Sequence, residues 1–173
     1  QGKVLHFGVS NFTPNQIKIL KKFLTVPIVV NQIQFSLLHT VLLDAGIEGF
    51  HETINPHGAQ GTLEYCKINN IRIQAWSPLK RGVLTGNNMI QDDLIFDSQL
   101  NKTKMVLYKT SKQYNTSPEA LLIAWILKHP YKILPILGST DPETLKACAA
   151  AREINLLRED WFNLYRVARN KDF

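Results

Sequence analysis

Residues 71–82, Ile71-Arg72-Ile73-Gln74-Ala75-Trp76-Ser77-Pro78-Leu79-Lys80-Arg81-Gly82, begin as a short run rich in β-formers and halt at a proline. The run reads as a strand from Ile71 to Trp76, and Pro78 closes it because a proline nitrogen has no hydrogen to give to a ladder. Outward from it lie three runs of the same kind: Val4 to Val9, Ile28 to Ile33 and Ile133 to Leu137. Each is short and largely apolar, as strands buried on both faces are. Each is followed by a turn and then a helical pattern, the rhythm of a parallel sheet with crossover helices.

The helix starts are marked by their caps. Thr13-Pro14-Asn15-Gln16 is a capping box with proline at the first helical position, and Ile17, Leu20 and Leu24 give that helix its apolar face. A second helix is expected over Thr62 to Asn69, after a loop with short helical pieces. Two more, about Gln99 to Gln113 and Pro118 to Lys128, follow a long loop that reaches Asp97 and is a candidate flap. Ser117 caps the latter helix, with Leu122, Trp125 and Ile126 facing inward. Asp141 caps a helix opened by Pro142, whose free amides would make a ready anion site. A last helix, Arg158 to Arg169, presents Trp161, Leu164, Tyr165 and Ala168 at helical spacing, an aromatic face expected to be core.

The 173 residues are expected to form one domain, which at this length hides roughly 70% of its unfolded surface. Four βα units are half of what a closed barrel of about 250 residues needs. The alternative, part of an open doubly wound sheet, lacks a G-x-G-x-x-G after any strand. The expectation is α/β, half a barrel of four parallel strands with helices, whose two edges need missing sequence or a partner to cover them. The chain opens at Gln1, without a methionine, and reads as cut from a longer protein.

Composition narrows the partners. Twenty Lys+Arg against 14 Asp+Glu give +6, yet no basic run exceeds a pair, so a solvated face is expected and not a nucleic-acid footprint. No stretch approaches the roughly 18 apolar residues of a membrane span and no signal segment opens the chain, so a cytoplasmic protein is expected. Cys66 and Cys148 read as reduced core residues, with no metal spacing around them. His51, Glu52 and His57 lack the spacing of a zinc helix, and Asp92 and Asp93 read as a solvated turn.

In βα-barrels the chemistry sits at the C-terminal ends of strands. Here those exits are polar: Gly8-Val9-Ser10-Asn11-Phe12, Asn31-Gln32, Ala75-Trp76-Ser77-Pro78-Leu79 and Pro135-Ile136-Leu137-Gly138-Ser139. Any one of them is explained by turn formation, but four on one rim point to a site. In this order GVSNF, NQIQF, AWSPLKRGVLTG and PILGSTDPETL resemble the second half of an aldo-keto reductase, and FSLLHT followed by TLEYC is most similar to bacterial NAD(P)H-dependent members. The resemblance covers nearly the whole chain. It implies the C-terminal half of a (β/α)8 TIM barrel, from an oxidoreductase that reduces aldehydes and ketones with a nicotinamide cofactor, NADPH first and NADH not excluded. It implies that Ser10 and Asn11, with Gln32, bind the nicotinamide carboxamide and that Trp76 stacks on the ring. Ser77, Pro78, Leu79 and Arg81 would line the pyrophosphate, where the Gly82 turn lets backbone approach. Gly138, Ser139 and Thr140 would take the adenosine phosphate end.

The chain departs from that pattern in three places. Members preferring NADPH commonly carry a basic residue within the segment Gly138 to Thr144; here Asp141 is acidic and Lys146 is the nearest cation. Ala147 and Cys148 stand where many members hold the adenine with polar side chains. The family's Asp, Tyr, Lys and His tetrad belongs to four earlier strands. Tyr65, Tyr108, Tyr114 and Tyr165 fall in helical patterns and Tyr131 precedes its strand, so no catalytic residue is expected and the isolated chain is expected to be inactive. A different class also fits: a self-associating half-barrel that binds a nucleotide or a partner without turnover.

Overall fold

The computed structural model describes residues 2–47, 61–86 and 98–169. Four strands, β1 (Phe7–Ser10), β2 (Ile28–Gln34), β3 (Arg72–Trp76) and β4 (Leu134–Ile136), form one sheet in the order β1-β2-β3-β4, every pair parallel. Strands adjacent in sequence are adjacent in the sheet, as in a barrel wall, whereas a doubly wound sheet reverses its order. The helices are α1 (Pro14–Lys21), α2 (Val41–Ile47), α3 (Thr62–Ile68), α4 (Ser98–Gln113), α5 (Pro118–Leu127), α6 (Pro142–Ala149) and α7 (Arg158–Arg169). The fold is half of a (β/α)8 barrel. The expected flap lies mostly in residues 87–97, and these, with His51, Glu52, His57, Asp92 and Asp93, lie outside the described residues.

Register shows which face the helices cover. Ser10, Gln32, Gln74 and Leu134 share one row across the sheet, while Asn31 and Ile73 share the next. Side chains alternate between faces, so these rows point oppositely. Asn31, Ile73 and Ala75 are buried, whereas Ser10, Gln32 and Gln74 are exposed or half-exposed. This corrects the expectation of strands buried on both faces: half a barrel covers only its outer wall with helices, and its inner wall stays open among the described residues. Strand β1 is also shorter than the expected Val4 to Val9. Val4 and Leu5 are 58% and 84% exposed, and pairing starts only at Phe7, with an irregularity before Gly8. Among the described residues β1 is an edge strand, held by β2 alone.

The caps form as the sequence predicts. Thr13 accepts from the Gln16 amide at 3.4 Å while Gln16 Oε1 accepts from the Thr13 amide at 2.9 Å, closing the box. Helix α1 ends at Lys21, so Leu24, expected on its apolar face, lies beyond it and is exposed. Ser117 Oγ accepts from the Ala120 amide at 3.1 Å. Ser117→Ala is expected to lower stability by about 1 kcal/mol, read as a lower urea midpoint at unchanged slope.

Helix α5 is buried all round, from Ala120 to Ile126, because it touches β4, α4 and α6. Its Trp125 also reaches α7, and Phe35, Trp125, Trp161 and Tyr165 form a continuous stack with successive centroids 5.4, 4.9 and 5.9 Å apart. Asp44, from α2, fastens α7 from the other side, accepting from the Tyr165 hydroxyl and pairing with Arg169, both at 2.8 Å. The aromatic face of α7 is core, as expected, and so are Cys66 and Cys148, both free and buried. No helix among the described residues is long and apolar enough to cross a membrane.

His129, just after α5, lies beside Tyr131 and Trp161, and burial pushes its pKa down to about 4. The neutral ring accepts from the Tyr131 amide through Nδ1 at 3.3 Å. The unfolded chain takes up a proton near the ordinary 6.5 that the folded chain refuses until about 4. This contribution to stability is therefore whole above pH 6.5 and is lost as pH falls through that window. Discounted for the partial exposure of the ring, it amounts to on the order of 1 kcal/mol. Urea unfolding at several pH values is expected to show the loss, and His129→Gln to reduce it.

Candidate functional site

The parallel sheet puts all four strand exits on one rim, and the structure brings the expected residues into two adjoining groups there. The first group spans β1 to β3. Ser10 Oγ donates to the Gln32 carbonyl at 3.1 Å, and the Asn11 amide reaches the same carbonyl at 2.9 Å. Asn11 Nδ2 donates to Ser10 Oγ at 3.3 Å, and Asn11 Oδ1 accepts from the Trp76 indole at 3.1 Å. Gln32 Nε2 donates to Gln74 Oε1 at 3.0 Å. Asn11 bends back over the sheet in the left-handed region, φ 57°, which asparagine tolerates better than most residues. The turn is clamped by buried Asn31, whose side chain donates to the Phe12 carbonyl at 2.8 Å and accepts from the Phe12 amide at 3.3 Å. Asn31 thus positions the site from the helix side of the sheet. The Cys66 thiol beneath it is pushed up by burial, partly offset by the Asn31 bond.

The second group is a cleft of about 310 Å³ between the β3 and β4 exits. It is lined by Ser77, Pro78, Leu79, Lys80, Arg81 and Gly82 on one side, and by Leu137, Gly138 and Ser139 on the other. Backbone shape makes this wall. Ser77, Lys80, Arg81 and Gly82 all have positive φ, at 57°, 47°, 56° and 77°, and only the last is a glycine. Such non-glycine residues cost of order 1–3 kcal/mol each and cluster where function needs them. At Gly138 a β-carbon would meet nothing within 4 Å, so the cleft is open above that backbone. Thr85 also lines it, and its carbonyl is tied to α4 by the Tyr108 hydroxyl at 2.9 Å.

Not every expectation holds in detail. Thr140 is exposed and lies outside the cleft lining, which takes Thr144 instead. The α6 amides are not all free: Asp141 accepts from the Thr144 amide at 2.9 Å and from its hydroxyl at 2.6 Å. Those bonds hold the Asp141 carboxyl below its ordinary pKa, so the chain's own anion occupies that helix start. Lys146 is exposed and not among the cleft's lining residues, and Cys148 is packed with Ile123, Ala124 and Ala151. Burial pushes the Cys148 thiol up, as does the charge of Glu119.

Residues of both groups escaped the sequence reading, Thr85 among them. Gln74 carried a signal, being a polar residue in an apolar strand at the row of Ser10 and Gln32. Lys80 and Thr144 adjoin motif residues. Glu119, in the first turn of α5, looked like any acid that complements a helix dipole. The tyrosines sit as predicted for Tyr65, Tyr108 and Tyr165, on α3, α4 and α7, while Tyr114 falls one residue past α4. Among the described residues no group of three or more His, Cys, Asp or Glu side chains could hold a metal.

A half-barrel with its polar groups gathered at the strand exits belongs to the class whose active sites are built from βα loops on that face. Comparison narrows the class: the model of the aldo/keto reductase family matches residues 1–168, and the chain belongs to that family. It is 32% identical to a 6-dehydroglucose reductase of Agrobacterium fabrum and 31% identical to the oxidoreductase YdhF of Escherichia coli, in each case over 99% of this chain and 49% of the relative. The chain thus spans about half the length of the curated relatives it matches. The same fold appears in the thermostable aldo-keto reductase Tm1743, with TM-score 0.67 at 23% identity over 94% of this chain and 48% of that one. It also appears in an aldose reductase of Giardia lamblia, with TM-score 0.66 at 22% identity over 99% and 47%.

Proposed function

We propose that this chain is the nucleotide-binding half of a nicotinamide-dependent carbonyl reductase. The observation that carries the reading is the continuity of its two rim groups, a polar row beside an indole leading into a cleft with two cations. The residues fit a dinucleotide. The Ser10, Asn11 and Gln32 side chains offer both donors and acceptors to a carboxamide, and rigid strand ends fix its orientation. Trp76, held through its indole nitrogen, offers a flat face to a ring. Lys80 and Arg81 neutralise a diphosphate, and Gly138 leaves room for it. When bound, the dihydronicotinamide supplies the hydride.

The proton for the carbonyl oxygen would come from an acid in the other half of the barrel, since the cleft itself offers no suitable donor. That half, or a partner, would also cover the edges of β1 and β4 and the open inner wall, and the isolated chain would bind without turning over. The reductase names among the relatives support a carbonyl substrate, whose identity depends on loops. The resemblance favours NADPH over NADH, and the charge on the cleft bears on that choice. Free buried cysteines suit a reducing, cytoplasmic setting.

Titration with reduced dinucleotide, followed by its fluorescence, tests the reading. Saturable binding is expected, and Ser10→Ala or Gln32→Ala should each weaken it by a few tenths to about 1 kcal/mol. Absence of binding by the folded chain would sink it. Joined to the first half of a related barrel, the chain is expected to restore reduction of a carbonyl panel, with the double variant slower.

A further inference from the structure

We propose that Glu119 makes the cleft select the unphosphorylated dinucleotide, NADH over NADPH, by accepting from the ribose diol at the adenosine end. The inference rests on the cofactor reading above and goes one step further, to a residue that the motifs do not contain.

Glu119 lines the cleft together with Gly138, Ser139 and Thr144, and with Lys80 and Arg81. Its backbone is fixed by the start of α5, with Ser117 capping and Pro118 at the first position. Its charge is felt by Cys148 on α6, which places the carboxylate on the β4 and α6 side. Among the described residues it has no hydrogen-bond or ion-pair partner. A dinucleotide anchored at the Ser10 and Gln32 row and crossing the Ser77 to Gly82 wall puts its phosphates at the two cations. Its next ribose then lies toward Gly138 and Ser139, beside Glu119.

A ribose diol offers hydroxyl donors that a carboxylate accepts, whereas a 2′-phosphate brings further negative charge and only acceptors. Among the lining residues at this end no cation is present to offset that charge, and Ser139 offers a single neutral hydroxyl. The Thr144 amide and hydroxyl are already given to Asp141, at 2.9 and 2.6 Å, and that carboxylate adds a second negative charge nearby. The cations Lys80 and Arg81 are engaged one phosphate earlier.

The test is a pair of titrations of the 173-residue chain, with NADH and with NADPH, at low ionic strength. NADH is expected to bind about tenfold more tightly. Glu119→Gln keeps the size, removes the charge and should narrow the ratio to about threefold or less, mainly by strengthening NADPH. Glu119→Ala serves the same purpose, and circular dichroism checks that both variants fold. Equal affinities, or tighter NADPH, would overturn the selectivity while leaving the dinucleotide reading intact. A wild-type preference unchanged in both variants would remove Glu119 from it. Failure of the folded chain to bind either dinucleotide would overturn the cofactor reading and this inference with it.

Discussion

Trp125→Ala is expected to lower the stability of the chain by about 3–5 kcal/mol, a large part of the total for a domain of this size. Trp125 is fully buried, with its ring between Phe35 at the end of β2 and Trp161 on α7, at centroid distances of 5.4 and 4.9 Å. Its indole donates to the Trp161 carbonyl at 3.1 Å, while the Trp161 indole donates back to the Trp125 carbonyl at 2.8 Å. Alanine keeps the second bond, because the acceptor is backbone, but removes the first and leaves a cavity between the sheet and α7. Trp125→Phe separates the two effects: it fills most of the space, removes the indole's donation to the Trp161 carbonyl, and should cost about 1–3 kcal/mol. Urea unfolding measures both. A cost below about 1 kcal/mol for alanine would show that α7 is not held to the sheet through this stack.

Much of this architecture could be read from local signals. Thr13, Ser117 and Asp141 mark helix starts because the side chain that caps is the side chain that occurs in the sequence, and Arg158–Arg169 shows its buried face in its own periodicity. What could not be read depends on neighbours. Val4 and Leu5 have strand-like chemistry, yet no described residue pairs with them and they stay exposed. Leu24 kept the helical spacing of α1 after the helix had ended. The strands' apolar character suggested two buried faces, whereas the register shows polar Ser10, Gln32 and Gln74 aligned on the open one. The site divides in the same way. Residues in contiguous motifs were found, while Glu119 enters the cleft from a helix start far along the chain. The backbone strain at Ser77, Lys80 and Arg81 had no sequence mark, since none of them is a residue that left-handed turns favour.

That strain gives a prediction in which stability and binding move in opposite directions. Lys80→Gly is expected to weaken dinucleotide binding by about tenfold or more, the loss of a charge-assisted contact to phosphate. The same change should leave the fold as stable as before or up to about 1 kcal/mol more stable. A β-carbon in the left-handed region costs roughly 1–2 kcal/mol, and glycine returns about 0.5–1 of that through the greater freedom of its unfolded state. Lys80 sits at φ 47° inside a turn held by its own backbone, its amide donating to Ser77 at 3.0 Å and its carbonyl accepting from Val83 at 3.3 Å. Glycine keeps all of those bonds. Lys80→Ala is the control: it loses the same cation, keeps the β-carbon and should recover no stability. Urea midpoints and dinucleotide titrations on the two variants decide the matter. If glycine destabilises the fold and binding is unchanged, Lys80 is a solvated surface cation and the turn is shaped by packing alone. If glycine stabilises the fold while both variants lose affinity, the strained turn persists because it carries a cation to the ligand.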